Sequence, residues 1–462
     1  MLKRILIANR GEIALRILRA CREMEIETVA VYSAADRDSL HVQMADRAVC
    51  IGPAPAAESY LNKSALLTVA VSAGCDAVHP GYGFLSEDAR FADACRDAGL
   101  IWIGPSGDAI RKAGNKAAAC ALMRKAGVPT VPGSDGPVRD AEEARRIAEA
   151  VGFPVLLKAS AGGGGRGIRL ADGPEDLARA FSEAQAEAVA CFGCGELYLE
   201  KRIVNPRHIE VQILADRQGN VISLGDRDCS VQRRNQKLIE EAPARGLKPA
   251  LREELGRAAV RAARAVGYEN AGTVEFLLSA AGEFYFMEIN TRIQVEHGVT
   301  ELVTGIDLLR EQLRIAAGLS LPCTQEEIRL TGHAIECRIN AEDPAAAFRP
   351  CPGKVDFLHF PGGCGVRVDS CLYAGYALPP YYDSLAAKIL VHAPTRLEAI
   401  RRMRRALEEL IIEGFPTNAE LDHQILHHPD FVHGSYTTAF LEKHQEEILS
   451  WSGCGKESEA HR

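Results

Sequence analysis

The opening of the chain constrains its fold most strongly, because a buried strand is followed by an amphipathic helix and a second strand. Residues 5–8 (Ile-Leu-Ile-Ala) form a continuous apolar run, as a strand covered on both faces requires. A helical pattern follows over 12–24, and a second strand is predicted over 28–32. This order predicts a βαβ unit with a parallel sheet. The turn at 9–12 has a single glycine, so it lacks the GxGxxG pattern of dinucleotide-binding sites.

Changes of pattern divide the rest of the 462 residues. A segment rich in proline and glycine covers 128–137, and a small unit of helix, strand, glycine loop and strand follows it. From Leu197 onward strands predominate, and strict alternation over 208–213 predicts an antiparallel strand with one face buried. We therefore predict an α/β and α+β architecture in four parts, namely an α/β domain (1–112), a linker helix and small lid with the glycine loop (113–203), a larger mixed C-terminal half (204–447) and a polar tail (448–462).

The composition argues against several classes of protein. The formal net charge of −8 argues weakly against nucleic-acid binding. No run of about 18 apolar residues could span a membrane, and the first apolar run is too short for a signal peptide, so we expect a cytoplasmic protein. The 14 cysteines do not suggest a disulfide scaffold in a chain of this length. Cys191 and Cys194 have CxxC spacing, but a second pair or matching histidines are not evident, so we favour a structural role over zinc or redox chemistry.

The glycine loop is the first candidate binding feature. Four consecutive glycines at 162–165 precede Arg166 and Gly167, and Lys158 lies just before them. Glycines allow several backbone N–H groups to point at one anion. A P-loop would connect a strand to a helix and carry Gly-Lys-Ser/Thr, so this loop is of another kind. We interpret it as a phosphate-binding flap, with a flexible linker as the alternative.

A stripe of alternating polar residues is the most informative feature. If the segment from 288 is extended, five polar side chains project to one face: Glu288, Asn290, Arg292, Gln294 and Glu296. Such a stripe often faces solvent, and all five side chains can converge only if the chain bends near its end. The mixture of carboxylates, amides and an arginine favours a binding site, in which Glu288 and Asn290 could share metal ions while Arg292 to Glu296 hold a second substrate.

Glu275 adds an acid on a neighbouring predicted strand, between Val274 and Phe276, which should face the core. Glu275 and Glu288 together are the hard oxygen ligands that Mg²⁺ requires when it bridges phosphates. A lone buried acid is costly, so a metal or a cationic partner is implied. Two basic features stay open on the residues alone, because the stretch 226–237 could be a charged surface loop and Arg338 an ordinary strand arginine.

Beside these features, five stretches of the sequence resemble the biotin carboxylase family of ATP-grasp enzymes. They are ANRGEIA (8–14), HPGYGFLSE (79–87), RDCSVQRR (227–234), MEINTRIQVEH (287–297) and RINAEDP (338–344). The resemblance covers about residues 1–447 and is greatest to the bacterial subunit of acetyl-CoA carboxylase. It implies an ATP-grasp fold with a Rossmann-like N-terminal domain, a small lid domain and a larger mixed C-terminal domain.

The resemblance also implies roles for individual positions. One group of residues would contact the phosphates, the adenine and the ribose of ATP. They are Lys116, Lys158, Gly164, Gly165, Glu200, Lys201, Arg202, Ile203, His208, Gln232, Asn235, Glu275 and Glu288. Two Mg²⁺ or Mn²⁺ ions would be bound by Glu275, Glu288 and Asn290. Bicarbonate would be bound by Lys237, Arg292, Gln294 and Val295. Glu296 would act as the base, and Arg338 would bind biotin and stabilise its enolate-like oxygen.

The implied reaction is ATP- and bicarbonate-dependent carboxylation of biotin on a biotin carboxyl carrier protein, through carboxyphosphate. In acetyl-CoA carboxylase this is the first half-reaction of malonyl-CoA synthesis for fatty acids. The alternatives are a subunit of another acyl-CoA or pyruvate carboxylase, a different ATP-grasp ligase, and a non-catalytic nucleotide-sensing module. Because the sequence offers neither a Met-Lys-Met biotin acceptor nor a carboxyltransferase stretch, we expect separate carrier and carboxyltransferase subunits as partners.

Three positions depart from the family pattern. Asn235 replaces a usual histidine near the ribose, Gly298 replaces a usual proline and should loosen the chain, and Cys364 replaces an aromatic residue of the dimer interface. Other interface positions are retained, so we expect a homodimer; they are Arg19, Glu23 and Arg367.

Overall fold

The computed structural model describes residues 2–160 and 167–454. Its first part contains β1 (Arg4–Ile7), α1 (Gly11–Glu23), β2 (Glu27–Ser33), α2 (Leu40–Met44), β3 (Arg47–Gly52), α3 (Lys63–Ser72), β4 (Ala77–His79), α4 (Ala89–Asp97), β5 (Ile101–Trp102) and α5 (Gly107–Gly114). The strands form one parallel sheet in the order β3-β2-β1-β4-β5. In β1, Ile5 and Ile7 belong to one apolar core and Leu6 to another, so both faces of the sheet are covered, as the apolar run predicts.

The middle part is a small unit built on three antiparallel strands. It contains α6 (Lys116–Lys125), α7 (Ala141–Val151), β6 (Val155–Ala159), β7 (Ile168–Ala171), α8 (Pro174–Phe192) and β8 (Leu197–Lys201). The sheet order is β7-β6-β8, and α7 and α8 share an apolar core with it. The predicted phosphate flap connects β6 to β7, and its residues Gly164 and Gly165 lie outside the described residues.

The C-terminal half is the largest part. It contains β9 (Arg207–Ala215), β10 (Val221–Arg233), β11 (Gln236–Ala242), α9 (Pro249–Val266), β12 (Asn270–Leu278), β13 (Phe284–Asn290), α10 (His297–Thr304), α11 (Leu308–Ala316), β14 (His333–Asn340), β15 (Glu342–Asp343), β16 (Arg349–Pro350), β17 (Phe357–His359), β18 (Val366–Ser370), β19 (Leu385–Ala393), α12 (Arg396–Glu409), β20 (Ile411–Glu413), α13 (Ala419–His427), α14 (Pro429–His433) and α15 (Phe440–Cys454).

One eight-stranded antiparallel sheet organises this half, in the order β13-β12-β9-β10-β11-β14-β19-β18. Helix α9 packs on β9, β10 and β12. Helix α12 packs on β14 and β19, α13 on β14, and α15 on β10 and α13. The N-terminal part shares an apolar core with this half, and this core includes both Ile13 of α1 and Ile293. Among the described residues, no helix combines the length and apolar character needed to cross a membrane.

Strand β9 corrects one expectation from the sequence. Its alternation predicts one solvent-facing side, yet the polar side chains of Glu210 and Gln212 are fully buried. They are buried because Arg227 of the neighbouring β10 donates hydrogen bonds to both, and Thr300 of α10 accepts another from the same guanidinium. The polar face of β9 is therefore an interior face.

Candidate active site

Three acidic side chains lie in a row across β9, β12 and β13. Glu275 is directly opposite Glu288 on one side and Glu210 on the other. Glu210 and Glu275 are buried, whereas Glu288 is 32% exposed and its Oε2 lies 3.1 Å from Nζ of Lys116. Burial lowers the pKa of Lys116, but the charge and hydrogen bond of Glu288, together with the charges of Glu200 and Glu275, make the net shift upward. The predicted pairing of Glu275 and Glu288 on neighbouring strands is thus present.

Glu275 is surrounded by donors. Its Oε1 accepts hydrogen bonds from Lys237 Nζ (2.9 Å), Asn290 Nδ2 (2.8 Å) and Gln294 Nε2 (2.9 Å). Its Oε2 lies 3.0 Å from Nε2 of His208. Burial raises the pKa of the Glu275 carboxyl, but the charges of Lys237 and His208 and their hydrogen bonds hold it well below its usual value. The group is therefore a carboxylate at neutral pH.

The polar stripe is not one extended strand. β13 ends at Asn290, and the chain then turns until Glu296 precedes α10. The turn forms because the backbone N–H of Thr291 donates to Oε1 of Glu87 (3.1 Å) instead of to a neighbouring strand. The expectation of a single face over 288–296 is therefore wrong beyond Asn290. The bend that convergence requires is present, because it brings Gln294 back to Glu275.

Lys237 is the central cation of the site. Its Nζ lies 2.7 Å from Glu210, 2.9 Å from Glu275 and 2.5 Å from Glu296. Burial lowers the pKa of this ammonium group, but the three carboxylates raise it well above the usual value. The stretch 226–237 contains the end of β10, an exposed two-residue turn and the start of β11, so it is a hairpin within the sheet and not the charged surface loop of the alternative.

Arg338 and Glu296 face each other across the site. Nη2 of Arg338 lies 2.8 Å from Oε2 of Glu296, while Lys237 holds the other oxygen of that carboxylate. Burial raises the pKa of Glu296, but the charges of Lys237, Arg338 and Arg227 hold it well below its usual value. Arg338 thus belongs to the site and is not an ordinary strand arginine.

Arg292 lies at the edge of the same cluster. Its Nη1 donates to Gln294 Oε1 over 2.8 Å, and its Nε donates to Glu87 Oε2 over 3.1 Å. The carbonyl of Val295, beside them, accepts a hydrogen bond from the buried Lys388 over 2.6 Å. Among the predicted bicarbonate residues, Arg292 contacts Gln294 directly, and Gln294 and Lys237 both donate to Oε1 of Glu275.

The lid residues form a separate group. Lys158 of β6 pairs with Glu200 of β8, and Glu200 lies close enough to Lys116 to raise its pKa. Beyond Glu200, the backbone N–H of Lys201 donates to the Pro132 carbonyl. Arg202 and Ile203 follow the end of β8, and neither they nor Lys201 contact the Glu275 cluster.

Gln232 and Asn235 lie at the β10–β11 hairpin. Gln232 is opposite Lys237, and Arg234 and Asn235 form the two-residue turn with φ of 50° and 67°. Such turns require the left-handed conformation at both positions, which asparagine adopts readily. The turn therefore gives a backbone reason for asparagine at 235.

The donor set fits a divalent hard cation. Glu275 and Glu288 provide carboxylate oxygens from adjacent strands, and Asn290 follows on the same strand as Glu288. Mg²⁺ and Mn²⁺ prefer few carboxylates and keep ligand positions for phosphate and water. Lys116, Lys237 and His208 balance the negative charge of these carboxylates in the structure.

Several residues of the site were not singled out from the sequence. Four charged groups contact the predicted residues, and a fifth, Arg227, contacts one of these four, Glu210; the four are Glu87, Glu210, Glu240 and Lys388. Glu87 ends the HPGYGFLSE stretch and Arg227 begins RDCSVQRR, so both lie in segments that carry the family resemblance. Glu210 lies on the polar face of β9. The alternation of this strand would have indicated Glu210 as a site residue only if that face had been known to be interior.

The structure also shows the surroundings of Gly298, the two cysteines with CxxC spacing and two of the expected interface residues. Gly298 lies in α10, where an added Cβ would be 2.3 Å from Leu390 Cδ2, so the space beside this position is tightly packed. Cys191 is exposed and Cys194 partly exposed. Arg19 and Glu23 are exposed on α1.

Comparisons with known proteins agree with this geometry. Residues 1–110 match the model "Biotin carboxylase, N-terminal domain", 115–324 match "Carbamoyl-phosphate synthase L chain, ATP binding domain" and 336–443 match "Biotin carboxylase C-terminal domain". The chain is 56% identical over 440 residues to "Biotin carboxylase" of Nostoc sp., covering 95% of this chain and 98% of that one.

Solved structures extend the likeness to three dimensions. The Campylobacter jejuni biotin carboxylase complex with β,γ-ATP matches with a TM-score of 0.93 and 49% identity, covering 96% of this chain and 99% of the other. The biotin carboxylase domain dimer of Hydrogenobacter thermophilus 2-oxoglutarate carboxylase, with MgADP, ADP and bicarbonate, matches with a TM-score of 0.92 and 51% identity, covering 97% and 99%. The chain belongs to the biotin carboxylase family.

Proposed function

We propose that this protein carboxylates biotin on a carrier protein, using ATP and bicarbonate. The observation that carries the proposal is one continuous cluster in which Lys237 connects the Glu275 carboxylate to Glu296, and Glu296 contacts Arg338. A phosphate-binding metal set, a base and a cation for a developing oxyanion are thereby adjacent. This combination matches a reaction that must couple phosphoryl transfer to attack by a urea nitrogen.

The ATP phosphates bind between the lid and the large sheet. Lys116 and Lys158 neutralise phosphate oxygens, and the resemblance assigns Gly164 and Gly165 to phosphate binding as well. Glu200 to Ile203 hold the adenine, and His208, Gln232 and Asn235 lie toward the ribose. Glu275, Glu288 and Asn290 hold Mg²⁺ or Mn²⁺, which supplies charge neutralisation and polarisation of the γ-phosphoryl group.

Bicarbonate binds where Arg292, Gln294, Val295 and Lys237 meet. The planar guanidinium of Arg292 can donate two parallel hydrogen bonds to a carboxylate-like anion. To do so, the guanidinium must rotate away from Gln294. Glu296 takes the bicarbonate proton, and the bicarbonate oxygen attacks the γ-phosphorus as its bond to ADP breaks. The arriving anions oppose the cations that hold the pKa of Glu296 low, so substrate binding makes Glu296 a stronger base.

The product of this step is carboxyphosphate, which the closed lid shields from water. Its carbon–oxygen bond breaks to give CO₂ and phosphate. The phosphate takes the N–H proton of the biotin ureido group, and the nitrogen attacks CO₂. Arg338 donates to the ureido oxygen as negative charge develops there.

We further propose that the chain serves acetyl-CoA carboxylase, with separate biotin carrier and carboxyltransferase subunits, and works in the cytoplasm as a homodimer. The dimer of the Hydrogenobacter thermophilus relative supports the oligomeric state. Arg19 and Glu23 are available on the exposed side of α1, and Arg367 lies nearby on β18, where it pairs with Glu301 over 2.7 Å.

One assay tests the catalytic proposal. The purified protein should hydrolyse ATP only with bicarbonate present, and free biotin should stimulate this rate. Glu296→Gln should abolish both activities, while Glu283→Gln, an exposed acid beside β13, should change neither. ATP hydrolysis indifferent to bicarbonate and biotin would contradict the proposal. Recovery of the biotinylated partner and its carboxyltransferase in a pull-down identifies the parent complex.

A further inference from the structure

Glu240 is a buried acid with no role in the reaction described so far. It lies on β11 opposite Glu336 of β14 and has no exposed surface. Its Oε1 accepts from two nitrogens of Arg338, Nε at 2.6 Å and Nη2 at 2.5 Å. Its Oε2 has no hydrogen-bond partner within the described part of the chain. All the bonding of this carboxylate is therefore directed at one side chain.

The contacts of Arg338 divide its guanidinium group into two sides. Nε and Nη2 are used by Glu240, and Nη2 is also shared with Glu296. No atom of residues 2–160 and 167–454 accepts a hydrogen bond from Nη1. Because all five guanidinium N–H groups are donors, Nη1 is the nitrogen left for a bound ligand.

Ionisable groups from several parts of the fold surround Glu240. Arg338 and Glu336 lie on β14, Lys237 on β11, Glu296 before α10 and Asp422 on α13. Burial raises the pKa of Glu240, Arg338 lowers it and Glu296 raises it, so that it reaches about 7. Its ionisation therefore changes within the range in which enzymes are usually assayed.

We propose that Glu240 is a positioning residue for the biotin half of the reaction: as a carboxylate it holds the Nε–Nη2 side of Arg338 and leaves Nη1 to donate to the ureido oxygen. The proposal rests on the proposed function, which gives Arg338 its part in biotin activation. An arginine side chain has several rotatable bonds, and donors stabilise an oxyanion best when they are already oriented. In the described part of the chain, Glu240 makes no hydrogen bond to any residue proposed to bind ATP or bicarbonate, and its contacts are to Arg338.

The experiment compares two rates on the same enzyme, bicarbonate-dependent ATP hydrolysis without biotin and its stimulation by free biotin. Glu240→Gln keeps the size of the side chain and removes its charge. We expect biotin stimulation to fall about tenfold through kcat/KM for biotin, while the rate without biotin stays within about twofold. The matched control is Asp216→Asn, another buried acid, which contacts Asn220 and not Arg338. It should leave both rates unchanged.

The pH profile separates positioning from simple structural support. A carboxyl group with a pKa of about 7 is protonated below that value, so biotin stimulation by the unaltered enzyme should rise as the pH passes upward through about 7. The rate without biotin should lack this rise, and Glu240→Gln should lose it. This measurement on the unaltered enzyme decides the question even if the variant does not fold.

The outcomes are distinct. Equal losses of both rates in Glu240→Gln, unchanged biotin stimulation, or the same pH rise with and without biotin would each overturn the role of Glu240. Absence of bicarbonate-dependent hydrolysis in the unaltered enzyme would instead contradict the proposed function itself.

Discussion

The carboxylate of Glu87, in the N-terminal part, holds Arg292. Nε of Arg292 lies 3.1 Å from Oε2 of Glu87, and the backbone nitrogen of Thr291 lies 3.1 Å from Oε1. The N-terminal α/β part thereby orients the arginine proposed to bind bicarbonate. The same carboxylate stabilises the turn that ends β13. One side chain thus links the N-terminal part to the shape of the bicarbonate site.

Glu87→Gln should weaken bicarbonate binding. The amide retains one acceptor oxygen but loses the charge that holds Arg292, so we expect the KM for bicarbonate to rise about tenfold with little change in the KM for ATP. Steady-state ATP hydrolysis against bicarbonate concentration measures both constants. The control is Asp88→Asn, the adjacent acid, which pairs with Lys63 and not with Arg292. Equal changes in both KM values would argue against a specific role in bicarbonate binding.

Glu288→Gln should weaken metal binding. The variant keeps the shape of the side chain opposite Glu275 but removes one of two anionic oxygen donors, so the Mn²⁺ affinity in the presence of ADP should fall about tenfold. Electron paramagnetic resonance of free Mn²⁺ measures this without turnover. The control is Glu283→Gln, which removes an exposed acid just before β13. This variant should bind Mn²⁺ with the affinity of the unaltered protein. Unchanged affinity in Glu288→Gln would remove that residue from the proposed ligand set.

The local sequence pattern predicted the regular elements well. It also predicted those parts of the site in which the interacting side chains lie on adjacent strands. The apolar run of β1 and the helix α7 are recovered, and Glu275 meets Glu288 in register. The turn after Asn290 could not be derived from alternation, because it depends on Glu87, 204 positions before Thr291. The same applies to Glu240, whose contact with Arg338 spans 98 positions. Such pairings depend on tertiary packing between elements that are distant in the sequence. The local periodicity of the sequence carries no information about that packing.

Gly298→Ala tests how tightly α10 packs. Alanine is favoured over glycine in a helix by about 1 kcal/mol, but its Cβ would lie 2.3 Å from Leu390 Cδ2, and Leu390 is fully buried. Overpacking of a buried site costs about 1–3 kcal/mol, so we expect a net loss of stability.

The double variant Gly298→Ala/Leu390→Ala provides the control for this prediction. Removal of the Leu390 side chain makes room for the new methyl group, so the loss in the double variant should be smaller than the sum of the two single losses. Thermal unfolding of the four proteins at equal concentration measures the coupling. Strict additivity would show that contact with Leu390 is not the reason for glycine at this position.

Stability toward acid should depend on Glu241, next to Glu240 on β11. Glu241 is buried, and its Oε2 lies 2.7 Å from His333 Nε2 and 2.6 Å from Arg396 Nε, while Tyr436 donates to its other oxygen. Burial raises the pKa of this carboxyl, but the hydrogen bond from His333 and the charge of Arg396 lower it to about 2. A carboxyl with a lowered pKa stabilises the fold above its unfolded pKa of about 4.5, and the contribution is lost as the pH falls toward 2.

The shift corresponds to about 3 kcal/mol at neutral pH. Glu241→Gln should therefore lower the free energy of unfolding by about that amount at pH 7, and the difference from the unaltered protein should shrink as the pH falls below about 4.5. Urea unfolding at pH 7, 5 and 3.5 measures it. Glu253→Gln, which removes an exposed acid paired with Arg257 on α9, should have almost no effect at any of these pH values. A difference for Glu241→Gln that stays constant with pH would mean that packing of the side chain, and not its ionisation, stabilises this part of β11.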